Sequence, residues 1–409
     1  MIERPSAAEV ASGESPERVE AIPITKPYFG DAELQAVQEP LLTGWVVQGP
    51  RVAEFERKFC AYTGAAHALA ANSCTTALHL AVAALGLGPG DEVIVPAFTW
   101  VSTANVVEYM GATPVFCDVD LETYNLDIRH AESLVGERTV GILPVHLFGL
   151  AADMQAVGSL ARRHSLWVVE DAACGFGAWY RGRHVGTFGA AGAFSFHPRK
   201  SITTGEGGMV TTQDAALAAA MTSLREHGAS RSEHSRHSGE GAFLLADYEA
   251  VGFNYRMTDI QGALGSAQMD RADWILDRRR ARAARYDELL ADLQWLRSPS
   301  VPEDHVHGYQ AYVCLYAIEE PSLENLPGLH ERRNALMSRL ENRGIATRQG
   351  THAAGLVGYY RSRYELRPED LPNAAIAESL TVALPLFAQM TDGEQDRVAD
   401  ELARGHEDL

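Results

Sequence analysis

Residues 166–212 read LWVVEDAACGFGAWYRGRHVGTFGAAGAFSFHPRKSITTGEGGMVTT, and they indicate the architecture more clearly than any other segment. A short apolar run, Leu166 to Val169, is followed by two acids, the second of which is Asp171. Another apolar run, Ala193 to Phe196, leads into a basic turn that ends at Lys200. Short buried strands with charged groups at their carboxyl ends are typical of the ligand-binding edge of an open α/β sheet.

The acid and the lysine that follow these two strands indicate a definite chemistry. A lysine amine forms a Schiff base with a carbonyl when its surroundings favour the neutral amine. A carboxylate held against a pyridine nitrogen keeps that nitrogen protonated, and the protonated ring withdraws electrons. Asp171 and Lys200 therefore predict a pyridoxal 5'-phosphate (PLP) site. The alternative is a solvated lysine and a strand-end acid, but the aromatic run before Lys200 and the TTGEGG segment after it favour the PLP site.

Three segments in this order resemble the DegT/DnrJ/EryC1/StrS family of PLP-dependent, mostly sugar aminotransferases. They are EDAA at 170–173, FSFHPRK at 194–200 and TTGEGG at 203–208. The resemblance extends from about Ile24 to about Leu386 and implies that Lys200 is the Schiff-base lysine and Asp171 the partner of the pyridine nitrogen. It also implies fold type I: a large α/β domain with a mostly parallel central sheet flanked by helices, and a smaller C-terminal α/β domain.

An anion site is predicted where a short apolar strand leads into the helical pattern of ALAANSCTTALHLAVAAL, residues 68–85. Backbone N–H groups at a helix start attract anions. The resemblance implies that Cys74 and Thr75 bind the cofactor phosphate here, with the Ser195 hydroxyl as a further ligand. Cys74 stands where the family usually has glycine, which costs little if the backbone N–H does the binding. The alternative is a plain helix cap by Ser73 or Thr75.

Two positions near the predicted cofactor ring carry informative side chains. Trp100 follows the predicted strand at 93–97, and an aromatic ring at a strand end can stack on a flat ligand. The resemblance places Trp100 against the PLP ring, with core packing as the alternative. Cys174 departs from the family, since many relatives have Gln or His there. A thiol is a weak hydrogen-bond donor, so another residue is expected to supply the usual contact.

The sequence leaves the role of several further residues open. Trp45 either touches ligand or is structural, and His197 is either near the cofactor or packed. Arg348 and His352 are tentative substrate contacts implied by the resemblance. His146, which ends the strand predicted at 140–146, is interpreted as structural.

The segment NYRMTDIQGALG, beginning at Asn254, also resembles the family. The resemblance implies that Asn254 crosses a dimer interface to the phosphate in the neighbouring subunit, so that the protein is a homodimer with shared active sites. The alternative is a loop residue before a helix capped by Thr258 or Asp259. One long amphipathic helix is predicted from there to Leu293.

Composition fits a globular protein of more than one domain, since the chain has 409 residues, of which 46% are hydrophobic and 22% charged. Its net charge of −19 argues against nucleic-acid or anionic-membrane partners. Five scattered cysteines indicate reduced thiols in a cytoplasmic protein. The predicted organisation is a mobile tail at 1–23, a large PLP-binding domain at 24–265 and a small domain at 266–409. The His-rich residues 225–244 match no metal spacing and are predicted to form a mobile loop, so no metal is expected.

The resemblance implies an aminotransferase that moves an amino group from glutamate or glutamine to a keto sugar, expected to be nucleotide-linked. The product would be an amino sugar or part of an antibiotic. A keto cyclitol or another ketone is an alternative acceptor. A sugar dehydratase is disfavoured, because such relatives replace the lysine with histidine. A non-catalytic PLP-binding regulator and a PLP-free Schiff-base lyase stay open.

Overall fold

The computed structural model describes residues 20–230 and 247–407, so most of the His-rich segment at 225–244 lies outside the described residues. The strands of the first part are β1 (His67–Ala71), β2 (Glu92–Pro96), β3 (Thr113–Cys117), β4 (Thr139–Ile142), β5 (Trp167–Asp171), β6 (Trp179–Tyr180), β7 (Arg183–His184), β8 (Ala191–Ser195) and β9 (Gly208–Thr212). Its helices are α1 (Asp31–Thr43), α2 (Pro50–Thr63), α3 (Cys74–Ala84), α4 (Ser102–Tyr109), α5 (Ile128–Ser133), α6 (Met154–His164), α7 (Ala215–Arg225), α8 (Asp259–Met269) and α9 (Ala272–Leu289).

Seven strands form a central sheet in the order β1-β9-β8-β5-β4-β2-β3. The pairs β2–β3, β2–β4, β4–β5 and β5–β8 are parallel, whereas β9 runs antiparallel to both β1 and β8. The predicted mostly parallel sheet is therefore confirmed. Because β1, β2, β5 and β8 point the same way, the loops that follow them meet at one edge of the sheet.

The strand predicted at 140–146 is shorter than expected, and this is a correction. β4 ends at Ile142, and Val145 makes only an isolated parallel bridge with Asp171. Pro144 explains the interruption, because proline has no N–H to continue a ladder. Its carbonyl accepts a hydrogen bond from the Asp171 N–H at 2.8 Å. His146 therefore lies beyond the strand, where its N–H donates to the Asp171 carbonyl at 3.0 Å and its ring nitrogens make further contacts.

The predicted long helix to Leu293 is also corrected, because it is divided into α8 and α9 at residues 270 and 271. α8 packs closely against α2, and a Cβ at Gly262 would lie 2.6 Å from the Val52 nitrogen. α9 contributes Ile275 to the core beneath the central sheet and Tyr286 to the core of the C-terminal part. Both helices contribute to the core beneath the sheet, but only α9 continues into the core of the C-terminal part.

The C-terminal part is a small α/β unit with its own apolar core. Its elements are β10 (Leu296–Arg297), β11 (His305–Val306), β12 (Tyr312–Tyr316), α10 (Leu326–Asn342), α11 (Gly358–Tyr364), α12 (Pro372–Leu380), β13 (Thr381–Leu384) and α13 (Asp392–Glu407). β10, β12 and β13 form a three-stranded sheet, while β11 joins β6 and β7 in another. Within the described ranges, no helix is both long enough and apolar enough to span a membrane.

Ile22 belongs to this C-terminal core although it falls in the segment 1–23 that was predicted to be a mobile tail. Its side chain is 2% exposed, and its backbone bridges to Ile345. The Ile22 N–H donates to the Gly344 carbonyl at 2.8 Å. The expectation of a mobile segment therefore does not hold for Ile22, and residues 1–19 lie outside the described part of the chain.

Candidate active site

Asp171 ends β5 as a buried carboxylate, with 4% of its surface exposed. The Thr103 hydroxyl donates to Oδ2 at 2.7 Å and the Ala173 N–H donates to Oδ1 at 3.1 Å. Burial raises the pKa of Asp171, although Thr103, Ala173 and Lys200 act in the opposite direction. The environment is therefore unfavourable for an isolated negative charge, and a cation held against the carboxylate would relieve this cost.

Lys200 follows β8 in a turn that the glycine-rich segment holds in place. The Lys200 N–H donates to the His197 carbonyl at 2.8 Å. Next to it, the Phe196 carbonyl accepts from the Thr203 hydroxyl at 2.6 Å and from the Thr204 N–H at 3.1 Å. The start of TTGEGG thus folds back on the end of β8 and fixes where the lysine side chain leaves the backbone.

The Lys200 amine points toward the end of β5. Its Nζ donates to the Cys174 sulfur at 3.2 Å. Burial alone would lower the pKa of Lys200, but Cys174, Cys74 and Asp171 raise it above its ordinary value. The structure therefore brings together the amine and the carboxylate that the sequence predicted as partners, and adds two thiols beside them.

The start of α3 lies at the same edge of the sheet and fits an anion. Ser73 caps the helix, since its hydroxyl accepts from the Thr76 N–H at 3.2 Å, as the alternative interpretation of this segment required. Thr75 and Ser102 share a hydrogen bond of 2.9 Å between their hydroxyls. A Cβ at Gly208 would overlap the Ser73 backbone, so only glycine lets β9 pass this close to the helix start. A capped helix start beside hydroxyl groups is suited to a phosphate.

These groups meet the three demands of PLP at one edge of the sheet. The amine of Lys200 suits the cofactor's aldehyde, and the buried Asp171 carboxylate suits a protonated ring nitrogen. The start of α3, with Cys74 and Thr75, suits the phosphate. Burial raises the pKa of the Cys74 thiol well above its ordinary value.

The side chains of Trp100 and His352 are in contact at the carboxyl edge of the sheet, although 252 positions separate them along the chain. Trp100 is 60% exposed, and its ring centroid lies 5.8 Å from that of His352. The His352 carbonyl accepts from the Thr99 N–H at 3.0 Å, which ties the C-terminal part to the loop after β2. The exposed face of Trp100 is available to a flat ligand. His352 Nδ1 also lies 3.5 Å from the Glu378 carboxylate.

Other predicted site residues have structural contacts in the protein itself. His197 is half-buried, and its Nδ1 accepts from the Arg199 N–H at 3.2 Å, so it helps to shape the turn before Lys200. Burial lowers the pKa of His197. Arg348 is exposed and donates through Nη1 to the Thr347 carbonyl at 2.8 Å. Ser195 Oγ lies 3.4 Å from the His197 nitrogen.

Asn254 lies at the surface, and its backbone bridges to Glu226. Thr258 caps α8, as the alternative interpretation of this segment proposed. Asp259 joins the segment to the start of α2 by accepting from the N–H groups of Gly49 at 2.8 Å and Val52 at 2.9 Å. The exposed Asn254 side chain thus stands on a well-anchored loop.

A nearby loop places Trp45. The Val46 carbonyl accepts from the Asp259 N–H at 3.2 Å, so the loop that carries Trp45 is tied to the start of α8. A Cβ at Gly49 would overlap the Trp45 indole, which folds back over its own loop. Trp45 therefore packs within the loop at least in part.

Sequence reasoning missed Thr103 and the role of Glu170. Glu170 Oε2 accepts from His146 Nε2 at 2.9 Å and from the Gly186 N–H at 2.7 Å. Oε1 accepts from the N–H groups of Phe188 at 2.6 Å and Gly189 at 2.7 Å. His146 Nδ1 accepts from a backbone N–H, that of Ala152, at 3.1 Å, so its proton is on Nε2 and is donated to Glu170. His146 is structural in these contacts, as expected.

A lysine amine beside a buried carboxylate at the carboxyl edge of a parallel sheet is the pair of groups that a PLP-dependent enzyme requires. The sequence comparison gives the family. Residues 27–403 match the DegT/DnrJ/EryC1/StrS aminotransferase family, and the chain belongs to it. The cofactor of this enzyme is PLP.

The relatives include a polysaccharide biosynthesis protein and two aminotransferases. The spore coat polysaccharide biosynthesis protein SpsC of Bacillus subtilis is 38% identical over 380 residues, which cover 93% of this chain and 95% of SpsC. Helicobacter pylori PseC, an aminotransferase involved in the biosynthesis of pseudoaminic acid, superposes with a TM-score of 0.86 at 27% identity, covering 95% of this chain and 100% of PseC. The PLP form of Spr1654, a putative sugar aminotransferase from Streptococcus pneumoniae, gives 0.86 at 28% identity, covering 95% and 99%.

Proposed function

We propose that this aminotransferase moves an amino group from glutamate or glutamine to the keto group of a nucleotide-linked sugar, in the biosynthesis of an amino sugar or antibiotic. The observation that carries the proposal is the placement of the Lys200 amine and the Asp171 carboxylate at one edge of the sheet. Similarity to SpsC and PseC supports a sugar as acceptor. The exposed face of Trp100 beside His352 leaves this side of the site open to a ligand.

The protein's part in this chemistry follows from the positions of its side chains. When bound, PLP supplies an aldehyde that receives the amino group and a protonated ring that withdraws electrons. Lys200 would hold the cofactor through Nζ and would move the substrate's Cα proton on the same atom, as general base and acid. Asp171, whose carboxylate Thr103 and Ala173 orient, would hold the protonated ring nitrogen. The start of α3 would hold the phosphate.

The protein is proposed to act as a homodimer in which Asn254 reaches the partner's phosphate. α1 and the loop after it expose several apolar side chains: Leu34, Leu41, Leu42, Val46 and Val47. Leu42 is 83% exposed, and an apolar surface of this kind is typical of an interaction site. The Asp259 N–H bonds to the Val46 carbonyl, so this surface is tied to the loop that carries Asn254.

The free cysteines suit a reducing compartment, and we propose the cytoplasm.

The proposed reaction is tested with the purified, PLP-loaded protein in two halves. Glutamate or glutamine alone should change the cofactor's absorbance and release one equivalent of keto acid, after which a keto sugar nucleotide should restore the first spectrum. A protein whose spectrum no amino donor changes would instead support a regulatory role. Amination of a keto cyclitol in preference to keto sugars would support the alternative acceptor.

The shared site is tested by mixing Lys200→Ala, which should not turn over, with Asn254→Ala, which should bind PLP weakly, at a PLP concentration too low to load Asn254→Ala alone. If Asn254 acts in the neighbouring subunit, one of the two sites of a mixed dimer carries both substitutions and the other carries neither. Turnover should then return to at most half of the wild-type value. Mixed dimers that form but stay inactive would contradict the assignment of Asn254. Thr258→Ala, which removes a helix cap in the same segment, controls for loop damage.

A further inference from the structure

The sulfur of Cys174 is the side-chain contact of the Lys200 amine, at 3.2 Å from Nζ. Cys174 lies three positions after Asp171 in a turn whose backbone is well held. The Ala172 N–H donates to the Ala193 carbonyl at 2.8 Å, and the Gly175 N–H donates to the Ala172 carbonyl at 2.8 Å. This turn joins the ends of β5 and β8, so the sulfur has a fixed position relative to both strands.

A thiol is a suitable neighbour for a lysine amine that must alternate between a covalently bound and a free state. A carboxylate in this position would form a strong ion pair and hold the lysine charged and in place. Sulfur gives only a weak hydrogen bond, in either direction. Cys174 also raises the pKa of Lys200, but its hydrogen bond is weaker than the ion pair of a carboxylate, so it orients the amine and opposes its reaction with a carbonyl less than a carboxylate would.

We propose that Cys174 is a positioning residue that holds the Lys200 amine at the edge of the sheet whenever this amine is not covalently engaged. This inference rests on the proposed function, because it takes Lys200 as the reactive amine. It assigns to the thiol a role in placing Lys200, where the family resemblance led us to expect only a lost contact to the ligand.

The chain is well suited to a direct test, because it contains only three lysines, Lys26, Lys58 and Lys200. Competitive labelling of the cofactor-free, full-length protein with an acylating reagent, followed by peptide mass spectrometry, reports each amine separately as a function of pH. Lys26 is exposed and provides the internal reference. Lys58 forms ion pairs with Glu54 and Asp270, far along the chain from the turn at Cys174.

The variants are Cys174→Ala, which removes the contact, and Cys174→Ser, which keeps a hydrogen-bonding group. Cys60→Ala is the matched control, since Cys60 is another half-exposed free thiol but lies on α2. Since Cys174 raises the pKa of Lys200, its removal should shift the labelling curve of Lys200 to lower pH and leave that of Lys26 unchanged. The donor half-reaction should slow by about three- to tenfold, with KM nearly unchanged.

Cys174→Ser should lie between the wild type and Cys174→Ala, and Cys60→Ala should match the wild type in both measurements. A labelling curve of Lys200 that is the same in the wild type and both Cys174 variants would overturn the inference. If Cys174→Ala does not fold, the curve of Cys174→Ser decides alone. Failure of the proposed function is recognised separately, because reductive trapping of PLP in the wild type would then not label Lys200.

Discussion

Glu170 and Asp171 are adjacent on β5, and both are buried acids, yet their surroundings differ. Glu170 accepts four hydrogen bonds, from His146, Gly186, Phe188 and Gly189. Asp171 accepts two, from Thr103 and Ala173. The hydrogen-bonding capacity of Glu170 is thus filled by the protein itself, whereas Asp171 presents its carboxylate to the site of Lys200.

The difference shows how a fold separates a structural acid from a catalytic one. A buried carboxylate with four donors stabilises the loop that provides them, because their N–H groups would otherwise be unpaired. A buried carboxylate with two donors has capacity left for a ligand cation. Burial raises the pKa of Asp171, and a protonated ring nitrogen would reverse that shift by pairing with the charge.

The largest difference between the two acids is expected in kcat, which should fall much more when Asp171 is replaced than when Glu170 is replaced. Asp171→Asn removes the charge that faces the ring nitrogen and should lower kcat by about a hundred- to a thousandfold. Glu170→Gln should change kcat by less than about tenfold in the fraction of protein that folds, because Glu170 touches no reacting group. Steady-state kinetics with the donor checks both values. Equal losses in the two variants would contradict the division.

In the cofactor-free protein, substitution of Glu170 should lower the free energy of unfolding more than substitution of Asp171. Glu170→Gln replaces one acceptor oxygen with an NH₂ group that faces two donors, so it should lower the free energy of unfolding by about 2–4 kcal/mol. Asp171→Asn should change it by less than about 1 kcal/mol, because the charge removed is costly to bury. Denaturant titration of both variants is the measurement. A larger loss in Asp171→Asn would break the comparison.

The free energy of unfolding should also depend on acid pH because of His184, which is fully buried two positions before Gly186, a donor to Glu170. Its Nε2 accepts from the Gly177 N–H at 3.1 Å, and burial lowers its pKa to about 4. The unfolded chain, with a histidine pKa of 6.5, binds the proton first as the pH falls. The stabilisation is therefore complete above pH 6.5 and is lost toward about pH 4, amounting to about 3 kcal/mol.

His184→Gln should flatten this acid-side dependence while keeping an acceptor for the Gly177 N–H. His164→Gln, the same substitution at an exposed histidine, is the matched control. Denaturant titrations across this pH range measure the slope of the free energy of unfolding against pH. The same slope in the wild type and His184→Gln would assign the acid sensitivity to other groups.

The smallest change in turnover is expected from Thr103→Val, next to Asp171. The substitution keeps the shape of the side chain and removes the hydroxyl that bonds Asp171 Oδ2 at 2.7 Å. Turnover should fall by about three- to tenfold. Thr103→Ser should restore most of it, which a purely structural role of the methyl group would not explain. No loss of turnover in Thr103→Val would show that Asp171 needs no orientation from α4.

The sequence predicted the parts of the molecule whose signals are local. Short apolar runs followed by charged residues predicted an open α/β sheet, and the segments around Asp171 and Lys200 predicted two groups that the structure brings to one edge. Thr103 could not be predicted, because its partner Asp171 is 68 positions away along the chain. The same is true of Ile22, whose burial depends on Ile345. Long-range packing also decided the break between α8 and α9.

Local chemistry would have corrected one expectation. Pro144 cannot donate to a strand ladder, and this predicts the end of β4 before His146. The resemblance carried by the EDAA segment assigned Asp171 to the site, but it gave no role to Glu170. The structural role of Glu170 depends on four donors that lie 16 to 24 positions away along the chain, and only the fold brings them together.

The central claim is that PLP is held by Lys200, and its most direct test is to reduce the PLP-loaded protein with borohydride and map the modified peptide by mass spectrometry. The cofactor's mass should be found on the peptide containing Lys200 and should be lost in Lys200→Ala. Attachment to Lys26 or Lys58, the other two lysines of the chain, or an equal yield of labelled protein from Lys200→Ala, would contradict the claim.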